Sequence, residues 1–250
     1  MLTCIGDLHG QYDKMSTALR TDGLIDESGS WCGGTRTLFF LGDYVDRGPD
    51  GIGVIDLVMR LQREAEQAGG GVHALLGNHE VLLLAAHRFG EHPCGGSAGT
   101  FHADWLRNGG HLHDLERLQP HHIAWLSDLP AMLRHEDLLL THADSLLYEQ
   151  YGASVPEVNA AIAKLLHARV PHDYDLLLDR FSDRLAFWQA PERLARFLRT
   201  YGGNRLIHGH TPIHYLQPDA PPAPFVYADG ACVNLDGGLY LDRASFVYRA

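Results

Sequence analysis

Short apolar runs recur through the first third of the chain, and each stops at the same kind of boundary. "LTCI", "TLFFL" and "VHALL" are each followed by glycine and then by polar side chains. Between them, apolar residues return every three to four positions, the spacing of an amphipathic helix. The pattern predicts strands at 1–5, 35–41 and 72–76, and helices at 12–20, 52–67 and 79–88. The second helix stops at "AGGG", where glycine can take the left-handed conformation that ends a helix. The third puts Leu82, Leu83 and Ala86 on its inner side. Strand–helix alternation of this kind predicts an α/β core with functional loops at the carboxyl ends of its strands.

The later chain is less regular. Residues 91–110, "EHPCGGSAGT…NGG", are glycine-rich and read as an irregular inserted loop, near 90–120, in one domain spanning 1–250. Two strand-like runs at 131–142 are separated at Glu136 and Asp137. Helices are predicted at 156–169 and 191–201, each with proline in its first turn. In the tail, "RLIHGHT", "FVYAD", "ACVNLDGGLY" and "SFVYR" predict short strands of a second, largely antiparallel sheet packed on the first. The only low-complexity stretch is "PDAPPAP" at 218–224.

Composition narrows the class. A chain of 250 residues that is 45% hydrophobic and 20% charged can bury a good core. Its formal net charge of −11 argues against nucleic-acid or anionic-membrane partners, which need basic surface. An anionic substrate is still compatible, because a local metal charge can dominate a pocket. The four cysteines, Cys4, Cys32, Cys94 and Cys232, form no C-x-x-C pair and read as reduced thiols. The first motif begins at Gly6, leaving no room for a signal peptide, and no apolar run nears the roughly 18 residues of a membrane span. The expectation is a cytoplasmic protein.

The polar boundaries carry the candidate chemistry. Asp7, His9, Asp43, Asn78, His142 and His210 each stand where an apolar run ends, in "CIGDLH", "FFLGDY", "LLGNH", "LLLTH" and "LIHGH". One aspartate after a glycine is usually a turn or a helix cap. Five endings with one grammar point to convergence on a cation. Carboxylate, imidazole and amide donors together suit Mn²⁺, Fe or Zn²⁺ better than Ca²⁺. The same logic covers "LGDYVDRGPDG", whose clustered acids are costly unless something positive lies among them.

Five blocks in this order, "GDLHG", "GDYVDRG", "GNHE", "THAD" and "GHT", resemble the calcineurin-like metallophosphoesterases. Within them the chain is most similar to the phosphoprotein phosphatase branch, of the bacterial and phage serine/threonine type; "VNLDGGLY" resembles the strand after their last ligand. The resemblance implies two mixed β-sheets packed as a central sandwich flanked by helices. It implies two divalent ions, Mn²⁺ first, with Fe or Zn²⁺ as alternatives. Asp7 and His9 would hold the first ion, Asp43 would bridge, and Asn78, His142 and His210 would complete the second. Pro212 stands where another branch carries a further histidine, which leaves the first ion a place for water. His208 would support these ligands from behind or substitute for His210.

The implied reaction is hydrolysis of a phosphate monoester, of phosphoserine or phosphothreonine type, by direct attack of a hydroxide held by two metals. His79 would protonate the leaving oxygen, Asp46 would hold His79, and Arg47 would clamp the phosphate. Asn78 and Arg184 would also meet the substrate, a phosphoprotein or small phosphate ester. Asp50 is expected to cap the next helix and Glu80 to buttress the loop. The chain departs from the pattern in two places. Leu75 and Leu76 precede "GNHE" where eukaryotic members carry arginine, and "THAD" replaces His-Gly-Gly. The second phosphate-binding arginine must come from Arg184 or Arg180.

The rival is a symmetrical dinucleoside-polyphosphate hydrolase on the same site; such relatives tend to lack the aspartate present here as Asp46. A nuclease ranks lower on net charge and Pro212. A non-catalytic metal-binding scaffold would be expected to have lost His79, Asp46 and Arg47.

Overall fold

The computed structural model describes residues 2–219, 223–241, 243 and 246–249. Met1 of the first predicted strand, Ala220–Pro222 of the proline-rich loop and Ser245 of the last predicted strand lie outside the described residues. The first part of the chain runs β1 (Leu2–Ile5), α1 (Tyr12–Thr21), β2 (Thr37–Phe40), α2 (Gly51–Gln67), β3 (Gly71–Ala74) and α3 (Asn78–Phe89). Next come α4 (Phe101–Arg107), α5 (Leu112–Arg117), α6 (Pro120–Asp128), β4 (Met132–His135) and β5 (Leu138–Thr141). Then follow α7 (Val155–Ala168), α8 (Pro171–Phe181), α9 (Pro191–Tyr201), β6 (Arg205–His208) and α10 (Ile213–Leu216). The chain closes with β7 (Phe225–Tyr227), β8 (Cys232–Asn234) and β9 (Tyr248–Arg249).

One sheet has the order β3-β2-β1-β9, the other β4-β5-β6-β8-β7. Each contains a parallel triplet: β3, β2 and β1 in the first, β5, β6 and β8 in the second. Antiparallel strands flank the triplets. Both sheets are thus mixed, and the second is not largely antiparallel: only its two outer pairings run that way. The "SFVYR" segment also goes elsewhere than expected, since β9 pairs with β1 in the first sheet.

Alternation along the strands divides the core in two. Leu2, Cys4, Phe39, Leu140, Ile207 and Val233 form the layer between the sheets. Ile5, Leu38, Phe40, Leu139, Leu206 and Cys232 point the other way, into the helices. Strands buried on both faces read as continuous apolar runs, which is why they stood out in the sequence. Each fully buried large aliphatic side chain contributes about 1.5–3 kcal/mol, so the sandwich is a stiff platform for the loops it carries.

Residues 91–100 are turns and bends, but the rest of the stretch expected to be irregular is helical, in α4, α5 and α6. It builds a wall beside the "DYVDRGPDG" turn. Asp50 caps α2 by accepting from Gly53 N at 2.8 Å. The buried Asp114 of α5 accepts from Gly51 and Ile52 N at the same helix end.

Candidate active site

Both parallel triplets deliver their carboxyl ends to one place. Asp7 and His9 follow β1, Asp43 follows β2, Asn78 begins α3 after β3, His142 follows β5, and His210 follows β6. The backbone there is unusual: His9, Asp43, Asp46, Arg47 and His210 all have positive φ, between 44° and 68°. Non-glycine residues in that region cost about 1–2 kcal/mol each, and such strain gathers where side chains must be aimed. Hydrogen bonds hold it. His9 N donates to Asp43 O at 2.8 Å, and His210 N donates to both carboxylate oxygens of Asp7. Arg47 N donates to Gly109 O at 2.7 Å. Glu80 accepts from Asp43 N, Tyr44 N and Gly77 N at 2.8–2.9 Å, which clamps the second strand's loop to the third's. A Cβ on Gly209 would lie 2.1 Å from Asp7 Oδ1, so only glycine allows that approach.

The side chains form two groups that share Asp43. His9, Asp43 and His79 have donor atoms within 4.8 Å of one another, as do Asp43, His142 and His210. Asp43 Oδ2 is 3.6 Å from His9 Nε2, and Oδ1 is 3.3 Å from His142 Nε2. Asp7 sits beneath His210 rather than in either group.

The hydrogen-bond network assigns the imidazole tautomers. His142 Nδ1 donates to Leu41 O at 2.8 Å, so Nε2 presents a lone pair. That lone pair meets Asn78 Oδ1 at 3.0 Å and Asp43 Oδ1 at 3.3 Å, acceptors with no proton to offer. Among the described residues, His210 Nε2 and Asp236 Oδ2 are buried without hydrogen-bond partners. His9 Nδ1 donates to Val45 O at 3.1 Å, leaving Nε2 to accept from Arg47 Nη1 at 2.9 Å. Convergent buried lone pairs of this kind fit metal ions.

Charge points the same way. Burial, then the neighbouring Asp236 and Asp43, pushes the Asp7 carboxyl well above its usual range. Burial and Asp43 also push Asp236 up to about 6. Asp43 moves the other way despite its burial, because His142, His79, His9 and His210 surround it. Burial lowers His9, His142 and His210, which favours the neutral form that ligates. Buried carboxylates beside neutral imidazoles need a cation to ionise together.

Beside this cluster, His79 Nδ1 donates to Asp46 Oδ2 at 2.7 Å. Trp105 Nε1 of α4 donates to Asp46 Oδ1 at 2.8 Å. Arg47 reaches His79 Nε2 with Nη2 at 3.0 Å, and its guanidinium lies 4.4 Å from the centre of the Tyr240 ring. These groups open on a cleft of about 630 Å³, also lined by Arg184 and Asn78. Arg180 faces elsewhere, donating to Tyr151 OH at 3.1 Å. His208 joins neither donor group; its Nε2 contacts Tyr227 OH at 2.8 Å.

Sequence reasoning missed Asp236, Trp105 and Tyr240. Asp236 carries a weaker form of the same signal, an aspartate beside glycines after a short strand in "VNLDGG". Trp105 and Tyr240 gave no local signal.

A family model described as calcineurin-like phosphoesterase matches residues 1–214. The chain belongs to that family. Shewanella-like protein phosphatase 2 of Arabidopsis thaliana is 42% identical over 83 residues, 33% of this chain and 21% of that protein. A symmetrical bis(5'-nucleosyl)-tetraphosphatase of Delftia acidovorans is 30% identical over 197 residues, 75% of this chain and 61% of that protein. The chain therefore spans only part of the curated relatives it matches. The cold-active protein-tyrosine phosphatase of a psychrophilic Shewanella species has the same fold, with a TM-score of 0.75 at 21% identity, covering 98% of this chain and 73% of that one. Among the described residues no helix is long and apolar enough to cross a membrane.

Proposed function

We propose that the chain is a phosphatase working with two divalent ions on phosphate monoesters, of phosphoserine or phosphothreonine type. The observation that carries this reading is the convergence of His142 Nε2, Asn78 Oδ1 and Asp43 Oδ1, all acceptors, beside the His79–Asp46 pair. Asp7, His9 and Asp43 would hold one ion, and Asp43, Asn78, His142 and His210 the other; Asp236 would assist Asp7. The mixed oxygen and nitrogen donors favour Mn²⁺, with Fe or Zn²⁺ as alternatives. Bound ions supply Lewis acidity, acidifying the attacking water and neutralising phosphoryl oxygens. Free thiols at all four cysteines favour a reducing, cytoplasmic setting.

The chain's own groups have separate tasks. Arg47 turns from His79 to a phosphoryl oxygen, guided by Tyr240 beneath it. His79 Nε2 is then free to hold the proton that the leaving oxygen takes, while Asp46 stabilises the imidazolium from behind. Arg184, which also lines the cleft, would meet the phosphate with Arg47.

The Arg47 assignment has a direct consequence. Arg47→Ala should lower kcat/KM about ten- to hundred-and-fifty-fold, since a hydrogen bond to a charged group is worth about 1.5–3 kcal/mol. Arg47→Lys should recover only part, because an ammonium cannot make the two-pronged contact. An Arg47→Ala enzyme with full kcat/KM and metal content would make Arg47 a bystander.

Symmetrical dinucleoside-polyphosphate hydrolysis is the second reading, supported by the name of the Delftia relative. The charge of the cleft lining is what favours the monoester reading over it. Asp104, Asp175 and Asp179 line the cleft, and among the described residues no arginine or lysine forms an ion pair with them. A polyphosphate chain laid along it would meet like charge, which costs affinity; a single phosphoryl group at the Arg47 end would not. With manganese supplied, a phosphoserine peptide should therefore show the higher kcat/KM. Asp104→Asn, Asp175→Asn and Asp179→Asn together should raise dinucleotide turnover at least about threefold. Diadenosine tetraphosphate outrunning every monoester tenfold would reverse the ranking.

A further inference from the structure

Asp144 is fully buried, yet it belongs to neither donor group and is not among the residues that line the cleft. It is the aspartate of "THAD", one of the places where this chain departs from the family's pattern. Its Oδ1 accepts from Leu185 N at 2.7 Å, and its backbone oxygen accepts from Ala186 N at 2.9 Å. Its Oδ2 accepts from Tyr227 OH at 2.7 Å, which fixes the rotation of the carboxylate. Next to it, Ser145 Oγ donates to Asp183 Oδ2 at 2.9 Å. Two consecutive residues after β5 thus grip 183–186, the loop between α8 and α9.

That loop carries Arg184. Leu185, the next residue, has a φ of 64°, a conformation a leucine leaves unless it is held. Arg184 is itself exposed; among the described residues its one hydrogen-bond partner is Ser182 O, 3.4 Å from Nε. Among the described residues no ion pair holds the guanidinium at the cleft.

Resting on the phosphoester reading of the cleft, we infer that Asp144 is a positioning residue: by pinning Leu185 and Ala186 it presents Arg184 to the substrate's phosphate. The device acts on binding rather than on bond breaking, so its loss raises KM and largely spares kcat. Asparagine can replace it. Its Oδ1 still accepts from Leu185 N, and its amide donates to the Tyr227 oxygen while Tyr227 turns its proton to His208 Nε2, 2.8 Å away.

The test uses the manganese-loaded chain and p-nitrophenyl phosphate, with wild type, Asp144→Ala, Asp144→Asn, Arg184→Ala and the Asp144→Ala/Arg184→Ala double variant. Asp144→Ala should raise KM about tenfold, with kcat within about threefold and both metals retained. Asp144→Asn should stay within about twofold of wild type. In the Arg184→Ala background, Asp144→Ala should add nothing, because both act through one guanidinium. If Asp144→Ala does not fold, Asp144→Ser, which shortens the side chain's reach, takes its place. Penalties that multiply in the double variant, a loss confined to kcat, or an Arg184→Ala chain with normal KM would overturn the inference. If the wild type hydrolyses no phosphate ester, the phosphatase reading fails; calorimetry with inorganic phosphate then decides on Asp144. Affinity about tenfold weaker in the alanine variant alone would support it, and equal affinity in all three Asp144 variants would overturn it.

Discussion

Asp43→Asn should abolish turnover more completely than removal of any one of Asp7, His9, Asn78, His142 or His210. Asp43 is the only residue common to the two donor groups, with one oxygen 3.6 Å from His9 Nε2 and the other 3.3 Å from His142 Nε2. Asparagine keeps one oxygen, loses the charge that four buried imidazoles face, and points an NH₂ at one of the two sites. Residues that merely support a metal ligand cost about 10- to 100-fold when lost, so the shared carboxylate should exceed that range. Metal analysis of the purified variant should find well under two ions per chain. The hydrogen bonds of Asp43's backbone to Glu80 and His9 are unaffected by the change, so the fold should persist. A folded Asp43→Asn protein holding two ions and working at near-normal rate would remove Asp43 from its central place.

The legibility of this site has a physical basis. Parallel strands buried on both faces must be apolar throughout, so their ends are marked by an abrupt change to glycine and polar residues. The ends of β1, β2, β5 and β6 were visible for that reason, while β3, an edge strand with an exposed His73, was marked by the buried Ala74, Leu75 and Leu76 at its end. Asp236 follows β8, whose run "CVN" is only three residues and ends in a polar asparagine, so the boundary is blurred. Trp105 was hidden differently. It lies on a seven-residue helix inside a glycine-rich stretch, and its partner Asp46 is 59 residues away. Periodicity reports which face of an element is buried and says nothing about which distant carboxylate an indole N–H will meet. The same limit sent β9 to the wrong sheet, because its pairing with β1 joins the two ends of the chain. Arg180 and Arg184 differ by about one helical turn in sequence, yet α8 ends at Phe181, so only the first follows the helix. The break turns Arg180 to Tyr151 and releases Arg184 to the cleft.

His79→Asn should leave both metals bound and slow an alkyl phosphate far more than an aryl one. On the proposed mechanism His79 is the proton donor: Nδ1 is committed to Asp46 at 2.7 Å, Asp46 is committed in turn to Trp105 at 2.8 Å, and His79 lines the cleft. Proton delivery matters most when the leaving oxygen is strongly basic, as in phosphoserine, and least for p-nitrophenolate. The phosphoserine peptide should therefore lose about 10²-fold or more in kcat, within the range general acids supply. The aryl ester should lose much less. The substitution has a side effect, because Arg47 Nη2 also rests on His79 Nε2 and will be freed. That loosening acts on the phosphate common to both substrates, so it lowers both rates alike and cancels in their ratio. The ratio, measured where chemistry limits both reactions, isolates the proton. Equal losses on the two esters, with metals intact, would show that His79 aligns Arg47 or the phosphate and that the leaving group takes its proton from elsewhere.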